Sequence, residues 1–169
     1  GQWQFRRQEG QSNPDFSQWL DTHVEPIFKE LTARLLPYIQ PRVKWGYFWC
    51  RSEGNDLVIL DEDAQTERLR FCFPRQSVDR RLCLADFWRS DQPDVVAFHI
   101  VTIGSGFTTH ERDLFETGKY QDYLFAHGLG VETAEALAEY WHQQIRHEWG
   151  IDSSEPTDVK QLFAVRYQG

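Results

Sequence analysis

The chain has 169 residues, of which 40% are hydrophobic and 15% aromatic, and its formal net charge is −8 from 26 acidic and 18 basic side chains. This length suits one compact domain, and the apolar content excludes an intrinsically disordered segment. The negative charge disfavours nucleic acid as a partner, because phosphate backbones are recognised by clustered positive charge. No apolar run approaches the ~18 residues of a membrane span and no leader is evident, so we expect neither membrane insertion nor export.

The first part of the chain is predicted to be helical. Apolar residues recur at helical spacing over residues 15–39, and Asn13-Pro14 supplies a start signal. Pro26 is expected to kink this helix or to split it in two, because proline cannot donate the backbone hydrogen bond of a helix interior.

Three short runs with strand character follow, and polar segments of hairpin length separate them. The runs are KWGYFWC at 44–50, LVIL at 57–60 and LRFCF at 69–73, which predicts an antiparallel meander. The run LCLADFW at 82–88 fits either a strand end or a helical turn. VVAFHIVTIG at 95–104 is predicted to be the most buried strand, because it is nearly continuous in apolar residues.

The second half of the chain is predicted to be helical. Gly104, Gly106 and the Thr108–Thr109 pair are expected to form a turn and N-cap for a segment near residues 110–120. A longer segment, 123–150, carries apolar residues on one helical face: Val131, Ala134, Ala138, Trp141, Ile145 and Trp149. A last helix is predicted at 157–167. The chain is therefore predicted to be one α+β domain over residues 1–169, a central twisted antiparallel sheet flanked by helices, including one long amphipathic helix in the C-terminal half.

A polar stripe runs beside the apolar face of the long segment, and it contains the best candidate site residues: Glu135, Glu139, His142 and Arg146. The spacing Glu139-x-x-His142 is found in di-iron bundles, but no second helix matches it, so a solvated or ligand-facing helix edge is favoured over a metal site. No nucleophile–histidine–aspartate order and no phosphate-binding loop are found, so we predict no catalytic residues and no metal. Gly128 and Gly130 would each cost about 1 kcal/mol relative to alanine in a helix. We therefore expect another backbone or a ligand to approach them closely.

Three cysteines, Cys50, Cys72 and Cys83, lie in apolar sequence contexts and form no CxxC motif. This pattern predicts buried free thiols in a reducing compartment, and hence a cytoplasmic protein without a structural zinc site.

Four stretches carry a resemblance to a known family: GQWQFRR at 1–7, FCFPRQSVDRRLCLADF at 71–87, VVAFHIVTIG at 95–104 and YLFAHGLGVETAEALAEYWHQQIRHEWG at 123–150. Together they resemble the activation domain of cobalamin-dependent methionine synthase, its S-adenosylmethionine-binding module. The last stretch is the most specific, because its His-Gly-Leu, Glu-Ala and Ala-Glu-Tyr-Trp-His elements come in the family's order. The resemblance covers nearly the whole chain.

The resemblance implies a function in reactivating cobalamin. The family's domain binds S-adenosylmethionine and docks against the cobalamin-binding domain of the same polypeptide, and a flavodoxin or a reductase supplies an electron. Inactive cob(II)alamin is thereby remethylated to methylcobalamin, and the parent enzyme passes the methyl group to homocysteine in methionine biosynthesis. The domain's own role is to hold the sulfonium methyl in line with cobalt. We therefore expect the isolated chain to have no activity alone.

The resemblance also implies that Glu135 matches a family glutamate that contacts the ligand. Carboxylates suit a ligand that carries a positive sulfonium and an amino group. From spacing alone, Glu135 is better explained as an exposed carboxylate that forms weak ion pairs with side chains one helical turn away. With the resemblance added, the ligand role is favoured.

The family has further ligand-gripping residues at both ends: an aspartate before the GQW segment, and an Arg-Pro-x-Pro-Gly-Tyr-Pro motif after a Tyr-Gln-Gly like residues 167–169. We therefore expect this chain, which begins without Met, to be a trimmed piece of a larger enzyme, and we expect the piece to bind S-adenosylmethionine weakly or not at all by itself. One alternative is a stand-alone docking module for a corrinoid protein, without catalytic activity. Another is an unrelated small enzyme that uses Glu135, His142 or His99 as acid and base.

Overall fold

The computed structural model describes residues 6–7 and 9–152, so the helix predicted at 157–167 lies outside the described residues. The chain divides into two compact units. The helical unit comprises Gly1–Val43 and Val101–Gly169, and the sheet unit comprises Lys44–Ile100. The α+β class is confirmed, and the expectation of a single activation-type domain over residues 1–169 stays a prediction.

Two helices form where one interrupted helix was predicted. Helix α1 spans Asn13–His23 and helix α2 spans Glu25–Leu35, and a 3-10 turn follows at Leu36–Tyr38. Pro26 lies in the first turn of α2, where its missing N–H removes no helical hydrogen bond. The prediction that Pro26 splits the helix is confirmed.

Helix α3 spans Ser105–Glu116 and helix α4 spans Tyr120–Glu148, which confirms the long C-terminal-half helix. The prediction for α3 is wrong at its start: the residues expected to form a turn and N-cap, from Gly106 to the Thr108–Thr109 pair, lie inside the helix. Gly104 itself is the N-cap, with a φ of 102°. A Cβ there would lie 3.0 Å from the Cβ of Gln40, so both the conformation and the close approach require glycine.

The core of the helical unit joins α2, α3 and α4. Its buried members are Leu31, Leu35, Phe107, Leu114, Ala126 and Leu129. Gly130 marks the closest approach, because a Cβ at this position would lie 2.5 Å from Cε1 of Phe107 and 3.2 Å from Cδ1 of Ile103. A close approach is therefore found at Gly130, but the neighbours are side chains and not the expected backbone or ligand.

The sheet has four strands: β1 (Arg42–Glu53), β2 (Asp56–Leu60), β3 (Glu67–Cys72) and β4 (Asp94–Thr102). Their order is β3-β2-β1-β4. Antiparallel pairing places Cys50 opposite Ile59 and Leu57 opposite Phe71, so the predicted meander is confirmed. The 82–88 segment forms a 3-10 turn at Leu84–Phe87, which was one of its two predicted alternatives.

Strand β4 is not the most buried strand, contrary to the prediction. It buries only Val96 and leaves Ile100 75% exposed, whereas β2 buries every residue from Leu57 to Leu60. The reason is position: β4 is an edge strand and β2 lies inside the sheet. A continuous apolar run does not distinguish these two cases.

The core of the sheet unit lies on one face of the strands. Its buried members are Cys50, Leu57, Ile59 and Val96, with Phe48, Phe71, Phe73 and Trp88 packed around them. Burial raises the pKa of the Cys50 thiol to about 12, so this thiol is unreactive. Cys83 is also buried, but Cys72 is exposed, so the prediction of three buried thiols is wrong at Cys72. Side chains alternate along a strand, and Phe71 and Phe73 on either side of Cys72 take the core face.

Helix α4 ends in a short hydrogen-bonded turn. Gly150 has a φ of 67°, and the backbone N–H of Ile151 donates to the carbonyl of Arg146 at 3.1 Å. Nδ1 of His147 lies 2.6 Å from Oδ2 of Asp152. The hydrogen bond with Asp152, and then its negative charge, raise the pKa of His147, and the same contact lowers the pKa of Asp152.

The substitution Gly130→Ala is expected to destabilise the fold by about 1–3 kcal/mol, because the added methyl group overpacks the contact with Phe107. The matched control is Gly106→Ala, another glycine inside a helix, whose added Cβ would meet only the carbonyl oxygen of Tyr38 at an ordinary 3.5 Å. The control should stabilise by about 0.4–1 kcal/mol. Urea denaturation measures both, and equal effects of the two substitutions would contradict the packing argument.

The substitution Asp152→Asn is expected to reduce stability in a pH-dependent way. Because the pKa of His147 is raised in the folded chain, the pairing of its imidazolium stabilises the fold at pH values below 6.5, the ordinary pKa of the group. This contribution is lost as pH rises through the folded-state pKa. Because the pKa of Asp152 is lowered in the folded chain, its carboxylate stabilises the fold at pH values above 3.8, the ordinary pKa of the group. This contribution is lost as pH falls through the folded-state pKa. The difference in melting temperature between the two proteins should therefore be largest between pH 3.8 and 6.5 and should shrink at higher pH. A difference independent of pH would exclude the ion pair as its cause.

Candidate functional site

The predicted polar stripe on α4 changes its exposure along the helix. Glu135 is exposed, Glu139 and His142 are half-buried, and Arg146 is only 1% exposed. The expectation of a solvated or ligand-facing edge therefore fits Glu135 and is wrong for Arg146. Periodicity placed Arg146 beside the apolar face, but it could not show that this position is buried in the folded chain.

The buried end of the stripe holds an ion pair. Nη2 of Arg146 lies 4.0 Å from Oε1 of Glu139, two helical turns earlier. A buried guanidinium needs an anion nearby, because desolvation of an uncompensated charge costs several kcal/mol. Glu139 places a carboxylate near Nη2 of Arg146, whereas Glu135, one turn further from the buried end, is exposed to solvent.

Contacts between helices fix the position of α4 within the helical unit. Nη2 of Arg34 on α2 donates to Oδ1 of Asp122 at 2.9 Å. Nδ1 of His127 lies 2.7 Å from Oε1 of Glu111 on α3. Together with the Gly130 contact, these pairs hold the helix on which Glu135 lies. His127 belongs to the most specific sequence motif, but no sequence signal pointed to Glu111 as its partner, because the pair depends on how α3 and α4 pack.

The described residues contain no group of three or more His, Cys, Asp or Glu side chains that could hold a metal ion. His99 lies half-buried in β4 and is not part of such a group. Ser105 begins α3. Across the same residues, no helix combines the length and apolar character needed to cross a membrane. What the stripe offers chemically is an exposed carboxylate on a helix fixed by packing, which suits the binding of a cationic ligand.

Comparison with known proteins identifies the class. The family model described as "Vitamin B12 dependent methionine synthase, activation domain" matches residues 27–169. The chain belongs to this family, which confirms the resemblance read from the sequence.

Two relatives and one solved structure agree with this assignment. The methionine synthases of Mycobacterium leprae and Mycobacterium tuberculosis are each 38% identical to the chain over 188 aligned residues, which cover 100% of this chain and 16% of each relative. The chain thus spans about a sixth of the length of these relatives. The crystal structure of the MetH reactivation domain bound to AdoHcy matches with a TM-score of 0.77 at 22% identity, covering 99% of this chain and 55% of that chain. That likeness establishes the shared fold.

Proposed function

We propose that this chain binds S-adenosylmethionine and presents its methyl group to cobalamin during reactivation of a methionine synthase. The observation that carries the proposal is the family match over residues 27–169. The related reactivation domain was solved with AdoHcy, which is what remains of S-adenosylmethionine after its methyl group has left. The exposed carboxylate of Glu135 fits such a ligand, because the substrate form carries a positive sulfonium and an amino group.

The chain's own contribution is binding and orientation. Cobalamin, when bound by its own domain of the same polypeptide, supplies the methyl acceptor, and each methyl group passed to cob(II)alamin requires one external electron and leaves S-adenosylhomocysteine. Glu135 anchors the positive end of the ligand, and the packed helix beneath it limits its movement. The chain alone therefore has no methyltransferase activity, because the acceptor lies on another domain.

The proposed setting follows from this chemistry. The whole protein transfers a methyl group to homocysteine in methionine biosynthesis, and a flavodoxin or a reductase supplies the electron. We place the protein in the cytoplasm, where free thiols such as Cys72 stay reduced. Neither nucleic acid nor a membrane is among the proposed partners.

The substitution Glu135→Gln in the full natural protein is expected to weaken S-adenosylmethionine binding about tenfold, which corresponds to about 1.4 kcal/mol. The amide keeps the shape of the side chain but loses the charge that assists the hydrogen bond. Isothermal titration calorimetry measures the dissociation constant. Glu132→Gln is the matched control, because Glu132 is also exposed on α4 and precedes Glu135 by less than one turn.

Unchanged affinity in Glu135→Gln, with measurable binding in the unsubstituted protein, would remove Glu135 from the ligand site and leave the family function intact. An unsubstituted full protein that does not bind S-adenosylmethionine would instead contradict the proposed function. That second result is the one predicted by a docking module without cofactor use.

A further inference from the structure

The core face of the sheet contains a small cavity. Its volume is about 190 Å³, and it is lined by Phe48, Ile59, Arg68, Leu69, Phe71 and Phe98. All of these side chains except that of the arginine are apolar. An apolar cavity of about 150 Å³ is large enough to bind benzene, so this cavity is large enough for one small apolar group. We call it the phenylalanine cavity.

The three phenylalanines of the cavity pack against one another. The ring centroid of Phe98 lies 5.8 Å from that of Phe48 and 5.5 Å from that of Phe71, and the ring planes are tilted. Ile59 is buried, whereas Leu69 and Phe98 are exposed, so the cavity has a buried inner side and a mouth that is open to solvent. Aromatic rings attract a thioether sulfur as well as hydrocarbon groups.

A bulge in strand β3 accounts for the charged side chain in this apolar set. Ile59 of β2 lies opposite Leu69 of β3. The next residue of β2, Leu60, lies opposite Glu67, so Arg68 is the extra residue on β3. In a regular strand Arg68 and Leu69 would point to opposite faces of the sheet, and a bulge re-aims a side chain at such a position. Both side chains therefore line the same cavity.

A cation and an anion lie side by side at the cavity. Nε of Arg68 is 4.0 Å from Oδ1 of Asp61, and the two side chains are 62% and 48% exposed. An ion pair this long and this exposed contributes little to stability, so both groups keep the capacity to bind a ligand. A guanidinium group binds a carboxylate, and a carboxylate binds an ammonium group. A free amino acid carries these two complementary charges on neighbouring atoms.

We propose that the phenylalanine cavity binds a free α-amino acid with an uncharged apolar side chain, and that methionine is the preferred ligand. The ligand's side chain lies among the rings, its carboxylate pairs with Arg68, and its ammonium group pairs with Asp61. The choice of methionine rests on the proposed function, which makes methionine the product, and its thioether suits the three rings. The residues that line the cavity belong to the sheet unit, whereas Glu135 belongs to the helical unit. The cavity is therefore a product-binding site distinct from the candidate site on α4.

Isothermal titration calorimetry of the full natural protein with L-methionine tests this proposal. The dissociation constant is expected to be below about 1 mM. Arg68→Gln is expected to raise it about tenfold, because the neutral amide loses the charge-assisted hydrogen bonds to the carboxylate. Arg112→Gln is the matched control, because Arg112 is an exposed arginine on α3, and it should leave the dissociation constant unchanged.

Leu69→Trp is expected to abolish L-methionine binding, because the larger side chain fills the cavity. Circular dichroism melting checks that both cavity variants are folded. Ligand analogues test the same contacts without any substitution: L-methioninamide lacks the carboxylate charge and N-acetyl-L-methionine lacks the ammonium charge. Each analogue should bind the unsubstituted protein at least about tenfold more weakly than L-methionine.

Three results would overturn the proposal. They are no binding of L-methionine to the unsubstituted protein, equal weakening by the substitutions at Arg68 and Arg112, and an affinity for either analogue equal to that for L-methionine.

A competition experiment separates the cavity from the ligand site of the proposed function, because S-adenosylmethionine itself contains a methionine moiety. Saturating S-adenosylmethionine should leave L-methionine binding unchanged, and so should Glu135→Gln. Displacement of L-methionine by S-adenosylmethionine would place both in one site and overturn the proposal. An unsubstituted protein that binds L-methionine through Arg68 but does not bind S-adenosylmethionine would contradict the proposed function and still support the cavity as an amino-acid site.

Discussion

The contact between Gly130 on α4 and Phe107 on α3 is the constraint on which the helical unit depends. The ring of Phe107 occupies the space that any side chain at position 130 would need. The two helices therefore approach closely at this point, and the core residues of α2, α3 and α4 pack around it. Because a helix is stiff, the contact also sets the position of residues one or two turns away. Glu135 is one of these, so a packing contact determines where the candidate ligand carboxylate lies.

Charge is used differently in different parts of the molecule. The buried Arg146 pairs with the half-buried Glu139 in the C-terminal half of α4, and Arg75 pairs with Asp86 in the connection between β3 and β4. Glu135 carries its charge into solvent, as do Arg80 and Arg81. The paired charges are structural. The solvent-facing charge of Glu135 is the one that we assign to a cationic ligand.

Much of the fold could be predicted because the signals are local. Proline disrupts the interior of any helix, so Pro26 predicted that the first helical segment is divided. The periodicity of residues 123–150 predicts a helix without reference to other elements. The exposure of Cys72 follows from local alternation along β3, but the other misjudged features depend on distant residues. The low burial of β4 follows from its place at the sheet edge. Helical spacing does not show that Arg146 is buried, and the sequence does not show that Gly104, the N-cap of α3, lies against Gln40. For the candidate site, the sequence predicted the helix, and the resemblance pointed to Glu135, whose ligand role stays a prediction. The Glu111–His127 contact emerged only from the packing of α3 on α4.

The central claim is that α4 presents a carboxylate to S-adenosylmethionine while the packing beneath it keeps the helix in place. Hydrogen–deuterium exchange of the full natural protein, with and without S-adenosylmethionine, tests this claim most directly. The account predicts slower exchange in peptides that contain residues 131–139 when the ligand is present, and little change in β2, which is already buried. Unchanged exchange along α4 at a ligand concentration that saturates the protein would contradict the account.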